Sequence, residues 1–193
     1  MCQLCEIEPV YEFTNKRKVC RKCYIKWFNK KILYAIRKFS MIKKGDIIKL
    51  SKKKDFRNVV LSEVLKNYSS KYYAEITFHE KGKKYIKIAL PDTTDLIAEK
   101  IIKEVMKGNI TNLKKIYPVY KKNIRPLFLF LDKEVLLYAR LNGLKYSKKD
   151  LNKERKVKVK KDEISNFIDK LEEKHPEIKR AIVNNYVDIF KDY

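Results

Sequence analysis

Residues 41–56 read Met41-Ile42-Lys43-Lys44-Gly45-Asp46-Ile47-Ile48-Lys49-Leu50-Ser51-Lys52-Lys53-Lys54-Asp55-Phe56, and their order decides the fold. Gly45-Asp46 is a turn pair, and Ile47–Leu50 is short, apolar and strand-like. A basic turn follows, and then Arg57–Asn67 repeats apolar residues at helical spacing, with Val60, Leu61, Val64 and Leu65 on the inner face. Further along, Tyr72–Phe78 and Tyr85–Leu90 read as two strands separated by a Lys81-Gly82-Lys83 turn. Asp92-Thr93-Thr94 opens a helix that packs Leu96, Ile97, Ile101 and Val105 and stops at Gly108. Asp132 caps another helix, which ends at Asn142-Gly143. Strand and helix alternate from 46 to 143, so the middle of the chain is predicted to be a small α/β layer.

The flanks differ from this middle. All four cysteines lie in the first 23 positions, as two CxxC pairs, Cys2 with Cys5 and Cys20 with Cys23. Each tight turn aims two thiolates at one point, and two such pairs make a closed four-thiolate zinc site. Disulfides would need an oxidising compartment, whereas the opening MCQLCEIEP has no apolar stretch of a secretory signal. A redox CxxC normally follows a strand of a βαβ unit, and both pairs here precede any such unit. The expectation is therefore structural zinc. A helix over 21–41 comes next, with Tyr24, Trp27, Phe28, Ile32, Ala35, Ile36 and Phe39 on its apolar face. Its other face carries Lys22, Lys26, Lys30, Lys31, Arg37 and Lys38. At the far end two helices, 162–174 and 177–190, are split by His175-Pro176. The organisation read from this is a zinc ribbon (1–25), a basic linker helix (26–45), an α/β domain (46–145), and a basic segment with C-terminal helices (146–193).

Charge bounds the partner. Lys+Arg is 47 against Asp+Glu 24, a formal +23, in a chain with 13 tyrosines, several beside lysine. That balance points to a polyanion, and tyrosines mixed with cations suit RNA, where phosphates pair and bases stack. A lysine-rich proteome would raise Glu as well and leave the balance near neutral. No apolar run approaches the length of a membrane span, so an acidic membrane surface is the lesser choice.

Around the opening stretch the chain resembles the PP-loop ATPase family, in its tRNA 2-thiolation branch. There a zinc ribbon, a basic helix ending in "MI..GD.I" and a strand lead into a Ser-Gly-Gly-Lys-Asp-Ser loop. Met41-Ile42, Gly45-Asp46 and Ile48, then Ser51, Lys54 and Asp55, stand at the matching places. The likeness resumes at Arg125-Pro126-Leu127, Lys133-Glu134-Val135 and Leu141-Asn142-Gly143, and closes with Leu171-Glu172-Glu173-Lys174-His175-Pro176. The resemblance implies a reduced, Rossmann-like PP-loop core, tRNA contact through Lys22, Lys26, Lys30, Lys31, Arg37, Lys38, Lys52, Lys53 and Arg125, and a cytoplasmic location.

The departures shape the expected function. Lys52 and Lys53 replace both loop glycines, and Phe56 replaces the last serine. A phosphate loop needs glycine so that backbone N–H groups approach the phosphate without a Cβ in the way. The family's catalytic cysteines, which hold an iron–sulfur cluster in some members, have no counterpart in the body of the chain. On this reading Ser51–Asp55 is a degenerate PP-loop, and neither ATP nor an iron–sulfur cluster is expected. Pro91-Asp92-Thr93-Thr94-Asp95-Leu96-Ile97-Ala98 looks more like the second, non-catalytic protein of the cytosolic thiolation pair. Asp92, Asp95 and Glu134 read as helix-end and surface carboxylates. The expectation is a non-catalytic tRNA-binding subunit beside a catalytic PP-loop thiouridylase paralogue as a heterodimer, with a homodimer left open. Two alternatives stand: an active thiouridylase with an unusual ATP loop, and a zinc-ribbon module serving other RNA or DNA.

Overall fold

The computed structural model describes residues 1–5, 7–72, 75–78, 87–147 and 163–191. A short hairpin, β1 (Tyr11–Glu12) and β2 (Lys18–Val19), precedes α1 (Arg21–Lys38), β3 (Ile47–Leu50), α2 (Phe56–Tyr72) and β4 (Glu75–Phe78). Then come β5 (Lys87–Ala89), α3 (Thr94–Met106), α4 (Ile110–Ile116), β6 (Val119–Tyr120), β7 (Asn123–Ile124) and α5 (Asp132–Leu141). Two C-terminal helices, α6 (Glu163–Lys174) and α7 (Ile178–Ile189), complete the described chain.

The Gly45-Asp46 turn sets the first strand of the main sheet. Gly45 has φ +80, which glycine adopts without steric cost. The buried Asp46 carboxylate accepts from the Lys43 backbone N–H at 2.7 Å and pairs with the Lys87 ammonium at 2.7 Å. Lys87 also donates to the Met41 carbonyl at 2.8 Å, so the turn entering β3 is tied to the first residue of β5. Along β3, Ile48 and Leu50 are buried and Ile47 and Lys49 half-buried, the period-2 alternation of a strand.

The five strands run in the order β4-β3-β5-β7-β6. β3 pairs in parallel with both β4 and β5, β5 in parallel with β7, and β6 antiparallel with β7 at the edge. The two strands read over 72–90 are present as β4 and β5, the first shorter than expected because α2 continues through Tyr72, and they flank β3 on opposite sides. The Lys81-Gly82-Lys83 turn lies outside the described residues. The chain leaves β3 in one direction to make β4 and from β5 goes the other way to make β7. Right-handed crossovers in both directions put α2 and α3 on opposite faces of the sheet. Accordingly α2 packs with α5 and α5 with α1, whereas α3 packs with α4, α6 and α7.

One hydrophobic cluster runs through the molecule. It begins at Cys2, Val19 and Cys20, takes in Tyr24, Phe28, Ile32 and Ile36 of α1, and reaches Val183 and Val187 of α7. Phe28 lies between Phe130 and Tyr138, each ring centroid 4.1 Å away. The helix that follows the cysteines is therefore a core element of the α/β body. No helix among the described residues is long and apolar enough to cross a membrane.

Candidate functional site

The four cysteines meet because the hairpin folds the first CxxC onto the start of α1. Cys2 N–H donates to the Ile7 carbonyl at 2.7 Å, and Gln3 N–H to the Lys18 carbonyl at 3.1 Å. Cys20 is the residue that caps α1, and Cys23 lies in its first turn. The Cys5 sulfur stands 3.6 Å from that of Cys2, 3.3 Å from Cys20 and 3.7 Å from Cys23, and all four lie within 4.8 Å of one another. Desolvation and the hydrogen bonds from Cys5 and Cys20 push the Cys23 thiol up to about 12. Thiols this crowded resist ionising together without a cation among them. The donor set fits a thiolate-bound metal.

Behind this centre Glu134 is fully buried. Its carboxylate accepts from the Leu131 backbone N–H at 2.9 Å, from Tyr11 at 3.2 Å and from Arg180 at 2.6 Å. Tyr24 donates to the Glu134 carbonyl at 2.8 Å. One carboxylate thus joins the cysteine hairpin to α5 and α7. The surface assignment of Glu134 is corrected on this ground.

A second site lies at the carboxyl ends of β3 and β5, where the strand order reverses. Open parallel sheets place their ligand crevice at such a switch point. Here a crevice of about 520 Å³ is lined by Lys49, Leu50, Ser51, Lys52 and Lys53 from β3 and its loop, and by Ile88–Pro91 from β5. Lys52, Lys53 and Lys54 are exposed around it. None of residues 51–55 has a positive φ. The Asp55 carboxylate accepts the backbone N–H groups of Arg57 and Asn58, each at 3.1 Å, and a further hydrogen bond from the Asn58 side chain. The first amides of α2, which a phosphate would otherwise meet, are occupied by a carboxylate.

The basic residues of α1 divide between two faces. At about 100° per residue, Lys22, Lys26, Lys30 and Arg37 fall within an arc of roughly 80°. All four are exposed, as are Lys38 and Tyr34, whose ring lies 5.6 Å below the Lys38 ammonium. Lys31 is set apart on the other flank, half-buried, with its ammonium 5.0 Å from the centroids of both Trp27 and Phe130.

Arg125 is corrected as a nucleic-acid contact. It is buried, donates to Asp92 at 2.9 Å, and also donates to the carbonyls of Tyr117 at 2.7 Å and Lys115 at 2.9 Å. Asp92 is likewise buried, and it pairs with Lys100 at 2.8 Å. Asp95 is half-buried, accepting from the Asp132 backbone N–H at 2.7 Å and from Lys179 at 2.9 Å. These carboxylates hold elements together inside the fold.

No protein-family model and no curated protein matches the chain. Among solved structures it is similar to the U34-tRNA thiolase NcsA from Methanococcus maripaludis, which carries a 4Fe–4S cluster. The TM-score is 0.74 at 16% identity, over 100% of this chain and 87% of that one. The protein has the α/β fold of that thiolase, with its four cysteines gathered at the N-terminal end. The comparison also corrects the cofactor expectation. An iron–sulfur cluster was set aside because the body of the chain lacks cysteines, yet a protein of this fold carries one. Four clustered thiolates are a ligand set for zinc and for iron–sulfur clusters alike. The N-terminal cysteines form a candidate metal centre open to either.

Proposed function

We propose that this protein is a tRNA-binding, non-catalytic subunit of a wobble-uridine 2-thiolation system, acting in the cytoplasm beside a catalytic PP-loop paralogue. The fold of a U34-tRNA thiolase supports the thiolation setting, and the exposed basic face of α1 supports tRNA as the polyanion. The observation that carries the non-catalytic role is the loop after β3. Two lysines occupy the glycine positions, no residue of the loop is left-handed, and Asp55 already takes the first amides of α2. A backbone cradle for a nucleotide's phosphates needs those features reversed. In this reading the metal centre holds the hairpin against α1, and α1 presents its lysines to the tRNA backbone.

A second reading is an active thiolase with an unusual nucleotide loop. It draws on the crevice beside Lys52 and Lys53 and on the cluster of the similar thiolase. One experiment separates the two. The metal-loaded protein is assayed for ATP-dependent thiolation of tRNA, alone and with a paralogue carrying an intact Ser-Gly-Gly-Lys-Asp-Ser loop. The expected result is tRNA binding without turnover alone, and turnover raised when the paralogue is present. Thiolation by this chain alone would establish the second reading, failure to bind the paralogue would sink the first, and failure to bind tRNA would sink both.

A further inference from the structure

Between the cysteine hairpin, α1, α5 and α7 lies a pocket of about 270 Å³, separate from the crevice at β3 and β5. Four cationic side chains line it, Arg17, Lys31, Lys133 and Arg180, against two carboxylates, Glu12 and Glu177. Both carboxylates are already matched: Glu12 by Lys16 and Lys18, and Glu177 by Arg180, which also holds Glu134. Among the described residues Arg17, Lys31 and Lys133 make no ion pair.

Aromatic rings hold two of these cations in place. The Arg17 guanidinium lies 4.6 Å from the centroid of Phe13, and the Lys31 ammonium 5.0 Å from that of Trp27. Phe13 and Trp27 meet edge to face at 4.7 Å, so the two cation–ring pairs form one wall. A ring orients a cation without neutralising it, and the positive charge stays available to an anion. The Nε–H of Arg17 is buried and has no hydrogen-bond acceptor. A buried donor left this way costs free energy that an oxyanion at the site would recover. Desolvation, and next the nearby Arg180, lower the Lys31 ammonium to about 8, a penalty that a bound anion would also relieve.

We infer that this pocket binds a phosphate group, with Arg17 and Lys31 as its inner ligands and Lys133 at its rim. If the proposed tRNA role holds, the phosphate belongs to the RNA backbone. Tyr34, Trp27, Lys38 and Lys31 continue around α1 from the exposed lysine stripe at successive steps of about 20–40°. A strand lying along the stripe is thereby led to the pocket. The same chemistry would also accept a free phosphate.

Trp27 is the only tryptophan of the chain and lines the pocket, so its fluorescence reports occupancy directly. The full metal-loaded protein is titrated in one arm with inorganic pyrophosphate and in another with a short single-stranded RNA. A saturable change is expected in the RNA arm, weakened about tenfold or more by Arg17→Gln or Lys31→Met, as loss of a charged hydrogen bond requires. Lys133→Gln, at an exposed rim position, gives the same direction without risk to folding, and Lys107→Gln, just past the end of α3, is the control for lost charge. A response to pyrophosphate alone would assign the pocket to a free phosphate. No saturable change in either arm, or equal losses in Lys107→Gln and the pocket variants, would overturn the inference. The pyrophosphate arm involves neither tRNA nor a thiolation partner, so failure of the proposed function and failure of the pocket are told apart.

Discussion

Arg125 Nε donates to Asp92 Oδ2 at 2.9 Å, and both side chains are more than nine-tenths buried. The pair fastens the segment after β7 to the turn that starts α3. The remaining donors of Arg125 reach the backbone carbonyls of Lys115, in the last turn of α4, and of Tyr117, just after it. Removing Arg125 leaves the buried Asp92 carboxylate with only the half-exposed Lys100 as counter-charge and also removes the bonds to the Tyr117 and Lys115 carbonyls. Arg125→Ala is expected to destabilise the protein by about 3–5 kcal/mol in denaturant unfolding. Arg125→Lys recovers only part of this, because an ammonium lacks the planar fork. If either variant proves as stable as the parent, the pair is not the clasp described here.

The exposed lysines of α1 make a different prediction. Replacing Lys22, Lys26 and Lys30 together with Gln leaves stability nearly unchanged, because all three are exposed. The slope of log affinity for tRNA against log salt should become shallower by about 2–3. With about six phosphates neutralised in the parent, raising salt from about 50 to about 200 mM costs roughly a thousandfold in affinity. A triple variant with an unaltered slope would remove α1 from the interface.

Lys31 links stability to pH in a direction opposite to most lysines. Its ammonium is pushed down to about 8 by desolvation first and by Arg180 second, with Glu134 and Glu177 acting the other way. Between that value and the unfolded one near 10.5, the unfolded chain holds the extra proton, so stability from this group rises with pH. It is fully present above the unfolded value and lost as pH falls through about 8. Lys31→Met is therefore expected to gain stability relative to the parent most at pH 7, with the gain shrinking toward pH 10. Denaturant midpoints of the two proteins across that range give the measurement. A difference independent of pH would refute it.

Metal content settles the cysteine centre. Cys5 is the most exposed of the four, so Cys5→Ser removes a ligand with little loss of packing. The variant is expected to lose most of its metal and to become sensitive to proteolysis between Lys16 and Lys18, while the main sheet stays folded. Elemental analysis and the visible absorption of the parent distinguish zinc from an iron–sulfur cluster. Retention of full metal by Cys5→Ser would mean that the four sulfurs do not act together.

Much of this architecture was legible because it is local. Apolar spacing marked α1, α3, α5 and the two C-terminal helices, and Gly108 and Gly143 ended their helices at positive φ. The paired CxxC turns announced the cysteine centre. What escaped was set by distant partners. The two-residue strands β6 and β7 carry no period to read, and nothing local shows that β4 and β5 take opposite sides of β3. Arg125 read as a tRNA contact and Glu134 as a surface carboxylate because their partners Asp92, Tyr11 and Arg180 are far away in sequence. The pocket of Arg17 and Lys31 was hidden for the same reason, since its walls come from residues 11–31 and 131–180.

Glu134 has a thermodynamic consequence. Tyr11 and Thr14 of the N-terminal hairpin meet Glu134, Glu177 and Arg180, so the two ends of the chain share one hydrogen-bonded cluster. Docking of α7 and capture of the metal are then reciprocal ligands of a single folded state. Whatever loosens the last helix should lower the affinity of the first cysteines for their metal, and by the same factor an empty centre should release the helix.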